Sequence, residues 1–424
     1  MLAVSHCAPP AFAAPPAIDN SQLPAPASPT PPERTEQRES CTVPLPTAAT
    51  HPHPGQLDGV DLQAIWRLSR GAGQRVAVID TGVQPHRRLP SVIAGGDYVS
   101  YGDGSQDCDG HGTLVAGIIA AAPDPADRSG FSGLAPEAEI ISIRQSSNTF
   151  GPLSDPSSHG FGDVATLAMA VRTAADAGAS VINISSVACT EATLDDRAVG
   201  AAVSYAVDVK DAVVVAAAGN VGGSGQCPGQ NTAAHTTVIA SPAWYDDYVL
   251  TVASVGPAGT ASSFSLNGPW VDVAARGEAV VSLDRDGDGV VDGLPGPSGP
   301  TPISGTSYAA PVVSGLAALL RTRFPRMSAR QVMARIEATA HHPAQGWNAA
   351  VGNGVIDPLA ALSDHIVEKP SPRKPSAPVP AEVPPKPVPA AGIAVAGVGL
   401  CLAGLVVAGP AWLRRRRGED VAGD

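Results

Sequence analysis

The chain has 424 residues, with 39 acidic against 27 basic side chains and a formal net charge of −12. That length exceeds one small core and predicts a large domain with flanking segments. The acidic balance leaves no basic stripe to follow a phosphate backbone, so nucleic acid is excluded as a partner.

At the amino end, Ala11-Phe12-Ala13 followed by Ala14 has the small-x-small form that signal peptidase cleaves, although no positively charged stretch precedes it. Residues 1–13 are therefore expected to be part of a signal peptide, the alternative being a plain Ala/Pro-rich terminus. Residues 14–65 form an extension whose first forty positions are crowded with Pro, Ala, Ser and Thr and carry neither helical nor strand periodicity. An extended arm is expected there.

From residue 66 to 364 the pattern changes to short β-branched runs alternating with longer amphipathic segments. Strands are expected at 75–79, 139–143, 181–185, 213–217 and 249–255, and helices at 111–122, 163–177, 194–210, 306–323 and 328–340. Several strands are apolar on both faces, which predicts an α/β fold with a mainly parallel sheet flanked by helices. Any active site then belongs at the carboxyl ends of the strands. Two Gly/Pro/Asp/Ser-rich stretches, 148–162 and 284–302, read as surface loops.

Residues 365–389 are a linker whose Pro-rich run, Lys369 to Pro389, as a polyproline II spacer of about 20 residues spans on the order of 60 Å at ~3.1 Å per residue. Residues 390–413 carry no charge and are long enough to cross a bilayer as one helix; Arg414-Arg415-Arg416-Arg417 follows directly. Basic residues stay on the cytoplasmic side, so the tail 414–424 is expected inside the cell and the rest outside, anchored by one membrane helix.

Four of the six cysteines, Cys41, Cys108, Cys189 and Cys227, fall in the part expected to be exported. Their even number suits an oxidising compartment, but four cysteines allow three pairings and the sequence does not choose. No CxxC spacing points to a metal. Asp284-Arg285-Asp286-Gly287-Asp288-Gly289 has oxygen atoms at calcium-loop spacing, yet Pro295 stands where the distal Glu of such a loop belongs, so a solvated acidic turn is expected.

Four positions carry the chemistry. Asp80 closes the run Arg75-Val76-Ala77-Val78-Ile79 and precedes Thr81-Gly82; alone it also suits a strand-ending turn, or an aspartic protease loop, for which no second copy exists. His111 opens a helix in Asp109-Gly110-His111-Gly112-Thr113, with glycines on either side that leave the imidazole accessible. Ser307, in Ser304-Gly305-Thr306-Ser307-Tyr308-Ala309-Ala310-Pro311, sits where a Gly-containing turn enters a long apolar helix whose first amides are unpaired. Asn220 ends the run Val213 to Gly219 and would project into the same crevice as an oxyanion donor.

In this order, Asp-Thr-Gly, His-Gly-Thr, Ala-Ala-Gly-Asn and Gly-Thr-Ser-Tyr-Ala-Ala-Pro resemble the subtilases. The resemblance implies a subtilisin-like three-layer fold and a serine endopeptidase with Asp80, His111 and Ser307 as triad and Asn220 in the oxyanion hole. It also implies that Ser185, Ser186 and Val187 belong to the strand that pairs with a protein or peptide substrate, and that no metal or organic cofactor is needed. The order of signal, cysteine-bearing arm, protease domain, linker, membrane span and arginine cluster is similar to that of the mycosins. That likeness implies a place in a type VII secretion membrane complex, with the pairings Cys41–Cys108 and Cys189–Cys227. A structural subunit of such a complex, with proteolysis secondary, is the competing reading.

Overall fold

The computed structural model describes residues 14–46, 55–158, 160–222, 227–232, 235–296 and 299–364. Seven strands build its central sheet: β1 Arg75–Asp80, β2 Val92–Asp97, β3 Glu139–Arg144, β4 Val181–Ile184, β5 Val213–Ala217, β6 Val249–Val255 and β7 Val271–Arg276. Their order is β7-β6-β5-β4-β1-β3-β2, and every pairing is parallel. The chain lays β2 and β3 on one side of β1 and then reverses to lay β4 to β7 on the other. A crevice opens at such a reversal, outside the carboxyl ends of β1 and β4.

Every residue of β4, β5 and β6 is buried, which is why these runs show no polar alternation. Two groups of helices cover the sheet. The first pairs α1 (His111–Ala120) with α4 (Thr306–Arg323), which is itself joined by α5 (Ala329–Thr339). The second packs α2 (Val164–Asp176) against α3 (Arg197–Ser204). Fully burying each Val, Ile or Leu between these layers stabilises the fold by roughly 1.5–3 kcal/mol.

All five expected strands and all five expected helices are present. The expected helix 194–210 begins later, at Arg197, because the Asp196 carboxylate is engaged by Trp244 Nε1 at 2.7 Å and the Tyr245 hydroxyl at 2.8 Å, and it continues as a π-helical turn, Tyr205–Val209. The two edge strands, β2 and β7, are additions to the sequence reading. Gly95 and Gly96 interrupt β2, where its register also shifts, and β7 carries Asp272, whose buried carboxylate accepts from Thr251 N at 2.7 Å.

The two stretches expected to be surface loops contain strands, and this corrects the sequence reading. Phe150–Pro152 pairs antiparallel with Thr35–Gln37 of the arm, while Val290–Gly296 pairs with Ser282–Leu283, with Gly299–Pro302 and with Leu45–Pro46 of the arm. The two ladders with the arm rest on main-chain bonds between segments remote in sequence, and the other two are short local hairpins rich in Gly and Pro, so side-chain periodicity gave no sign of either. Two carboxylates of the acidic turn stand beside cations: Arg285 pairs with Asp286 at 2.5 Å and Arg87 approaches Asp288 at 3.6 Å. Among the described residues no cluster of His, Cys, Asp and Glu could hold a metal ion.

The arm is tied down by the disulfide Cys41–Cys108, and Cys189–Cys227 joins the segments that follow β4 and β5. Among the described residues no helix is long and apolar enough to cross a membrane. The expected signal peptide 1–13, linker 365–389, membrane span 390–413 and tail 414–424 all lie outside them.

Candidate active site

Three neighbouring strands, β5, β4 and β1, deliver Asn220, Ser185 and Asp80 to one edge of the sheet, and α1 and α4 present His111 and Ser307 to the same edge from their first turns. All five line one cleft of about 700 Å³, together with Ser186, Val187 and Tyr308. The sequence placed these side chains more than two hundred positions apart; the reversal of strand order brings them together.

Asp80 is buried, and its Oδ1 accepts from Thr81 N at 2.8 Å and lies 2.7 Å from His111 Nδ1. A carboxylate there fixes the proton on Nδ1, so Nε2 faces Ser307 Oγ with its lone pair, 3.0 Å away. Approach of α1 to the end of β1 depends on Gly112, since a Cβ there would lie 1.9 Å from the carbonyl oxygen of Gly82. The ring of Tyr308 stands 5.0 Å from the imidazole.

Burial disfavours the charged imidazole. The Asp80 carboxylate, through its charge and its hydrogen bond, together with the more distant Asp107 and Asp109, outweighs that penalty and raises the pKa of His111 above the ordinary 6.5. The protonated ring formed when the serine gives up its hydrogen is thereby stabilised. Burial holds the Tyr308 hydroxyl far above its usual range, which keeps it neutral beside the imidazole.

The serine side of the site is built from neutral groups. Asn220 Oδ1 accepts from Thr306 N at 2.9 Å and Thr306 Oγ1 at 3.0 Å, which turns the planar amide so that Nδ2 points away from Thr306. Nδ2 and Ser307 Oγ both lie close to Gly305, 3.6 and 3.1 Å from where its Cβ would stand. Pro311 lies four residues beyond Ser307 in α4 and lacks the N–H that would bond the Ser307 carbonyl. Ser185 Oγ supplies that bond instead, at 2.9 Å, and is itself held by Asn183 Nδ2 at 2.8 Å; Asn183 Oδ1 accepts from Ser314 Oγ at 2.8 Å.

Sequence reasoning named Asp80, His111, Ser307, Asn220 and Ser185 to Val187, and the cleft holds all of them. It missed the buried residues hydrogen-bonded to them, Thr81 at Asp80, Thr306 at Asn220 and Asn183 at Ser185, and those bonded behind these, Asp107 at Thr81 and Ser314 at Asn183. The brace on the Ser307 carbonyl was open to a sequence argument, since a proline four residues after a helical serine frees a carbonyl that must then find another donor.

A carboxylate, imidazole and hydroxyl in series, with amide donors beside the hydroxyl and an α/β sheet beneath, define a serine hydrolase of the subtilisin type. The model of the subtilase family, Peptidase_S8, matches residues 71–354. Mycosin-4 of Mycobacterium tuberculosis is 64% identical over 358 residues, covering 82% of this chain and 78% of its own. Among solved structures, the MycP3 protease from the type VII (ESX-3) secretion system superposes with a TM-score of 0.77 at 44% identity, covering 83% of this chain and all of its own. A chain in the structure of an intact ESX-5 inner membrane complex gives 0.78 at 39% identity, covering 96% of this chain and all of its own. The chain belongs to the subtilase family and, within it, to the mycosins, and is a subtilisin-like serine protease.

Proposed function

We propose that the chain hydrolyses peptide bonds of protein or peptide substrates through an acyl-enzyme formed on Ser307. Ser307 Oγ attacks the scissile carbonyl carbon as His111 Nε2 takes its proton, and Asp80 holds the imidazole and its developing charge. Asn220 Nδ2 and the Ser307 amide hold the oxyanion. His111 then returns the proton to the leaving amine, and water enters by the same route to release the acyl group. Ser185, Ser186 and Val187 lie along the substrate chain. The observation that carries this reading is the pair of contacts in series, 2.7 Å from Asp80 to His111 and 3.0 Å from His111 to Ser307. No step requires a metal or organic cofactor.

The same reading places residues 66–364 on the extracytoplasmic face of the cell membrane, with 1–13 as signal, 14–65 as the Pro-rich N-terminal extension, 365–389 as spacer, 390–413 as the single span and 414–424 in the cytoplasm. It assigns the chain to a type VII secretion membrane complex, a role supported by its similarity to a chain in the ESX-5 inner membrane complex structure. A fluorophosphonate probe should label the wild type and leave Ser307→Ala unlabelled; undiminished labelling of the variant would end the assignment. That same similarity also favours a structural role in the complex. If secretion survives Ser307→Ala but not deletion of the protein, the structural role is the essential one; if both abolish it, proteolysis is.

A further inference from the structure

Asp107 takes no part in the chemistry assigned above, yet it is buried four residues before His111 and its carboxylate is fully engaged. Oδ1 accepts from Thr81 Oγ1 and from Gly110 N, each at 2.8 Å; Oδ2 accepts from Thr113 N at 2.8 Å and Thr113 Oγ1 at 2.6 Å. Each threonine hydroxyl in turn accepts from a main-chain amide, Thr81 Oγ1 from Gly112 N at 3.0 Å and Thr113 Oγ1 from Gln84 N at 2.9 Å. Four hydrogens thus converge on two oxygens, the pattern an ionised carboxylate satisfies. Burial, with the neighbouring Asp80 charge, holds its pKa above the ordinary carboxylate value, against the opposing pull of the hydrogen bonds from Thr113 and Thr81.

The placement of these four donors matters more than their number. Thr81 adjoins Asp80 at the end of β1, whereas Gly110 and Thr113 bracket His111 at the start of α1. Asp107 therefore clamps the two elements whose side chains must meet. Its own main chain is fixed from outside the core: Arg285 Nη1 donates to the Asp107 carbonyl at 2.9 Å and the Cys108 carbonyl at 2.7 Å, Thr42 N donates to the Cys108 carbonyl at 3.0 Å, and Cys108 is bonded to Cys41. The arm and the 282–302 sheet hold the clamp, and the clamp holds the triad.

We propose that Asp107 is a positioning residue of the hydrolytic reaction: it sets the Asp80–His111 contact by locking strand to helix, and its negative charge supports the imidazolium formed during attack. The proposal rests on the reading of His111 as the base. The groups that face His111 are the carboxylates of Asp80, Asp107 and Asp109 and the neutral Tyr308 ring, so removing one of three negative charges favours the unprotonated ring.

The test is the pH dependence of fluorophosphonate labelling of the full-length chain, resolved into kinact and KI. Asp107→Asn keeps the size of the side chain, removes its charge and turns an NH2 toward donors. It should lower kinact by about tenfold to a hundredfold, the scale on which misplaced catalytic groups act, leave KI within about twofold, and move the acid limb to lower pH. Thr81→Val breaks the link to β1 and keeps the charge; it should lower kinact by a smaller factor without moving the limb. Wild-type kinact and an unmoved limb in Asp107→Asn overturn the proposal; if that variant does not fold, wild-type kinact in Thr81→Val overturns it. Labelling of Ser307→Ala would instead strike the reading beneath it, so the two failures are distinct.

Discussion

The two halves of the site are built from different chemistry. Asp80 and His111 stand among carboxylates, with Asp107 and Asp109 close behind, while Ser307 and Asn220 are held by hydroxyls and amides. The reaction explains the division, because peptide hydrolysis develops a positive charge on the imidazole and a negative one on the carbonyl oxygen. A carboxylate beside the serine would oppose the oxyanion, and a neutral surround at the histidine would oppose the imidazolium. The strand reversal keeps the two environments apart by bringing one half from β1 and α1 and the other from β5 and α4.

Replacing the charge on the first half should have the largest effect. Asp80→Asn, of nearly the same shape, favours the wrong tautomer of His111 and should lower kcat by about 10⁴-fold. The wild type should lose activity as pH falls through a value above 6.5, since the neutral ring is the base and Asp80 raises its pKa. A pH–rate profile with its acid limb at or below 6.5 would remove the electrostatic half of the comparison.

On the neutral half, Asn220→Ala deletes the donor proposed for the oxyanion. It should cost about 10²–10³-fold in kcat and leave KM little changed. A variant that raised KM alone would show Asn220 to be a substrate contact.

The smallest expected effect falls on the brace behind the nucleophile. Ser185→Ala leaves the Ser307 carbonyl without a donor, at a cost of about 1–3 kcal/mol in stability. Pro311→Ala restores a helical N–H to that carbonyl, so the double variant should recover about 1 kcal/mol of the loss in a thermal or denaturant unfolding cycle. Strict additivity would show that the proline and the serine hydroxyl do not serve the same atom.

What the sequence revealed and what it hid follow a similar line. Strands buried on both faces, such as Val213–Ala217, announce themselves as unbroken β-branched runs. Edge strands do not, because Val92–Asp97 is interrupted by Gly95 and Gly96, and the 282–302 sheet is assembled with an arm segment some 250 residues away. At the site, Asp80, His111, Asn220 and Ser307 were legible because their chemistry requires particular residue types at strand ends and helix starts. Asp107 and Asn183 were not, because a buried Asp or Asn acquires its meaning from partners that only the fold supplies.

A crystal structure of the chain inactivated by a peptidyl phosphonate tests the convergence of the two halves most directly. Phosphorus should be bonded to Ser307 Oγ, with its oxygen about 3 Å from Asn220 Nδ2 and the His111–Asp80 contact intact. A bond to any other residue, or an oxygen directed away from Asn220, would contradict it.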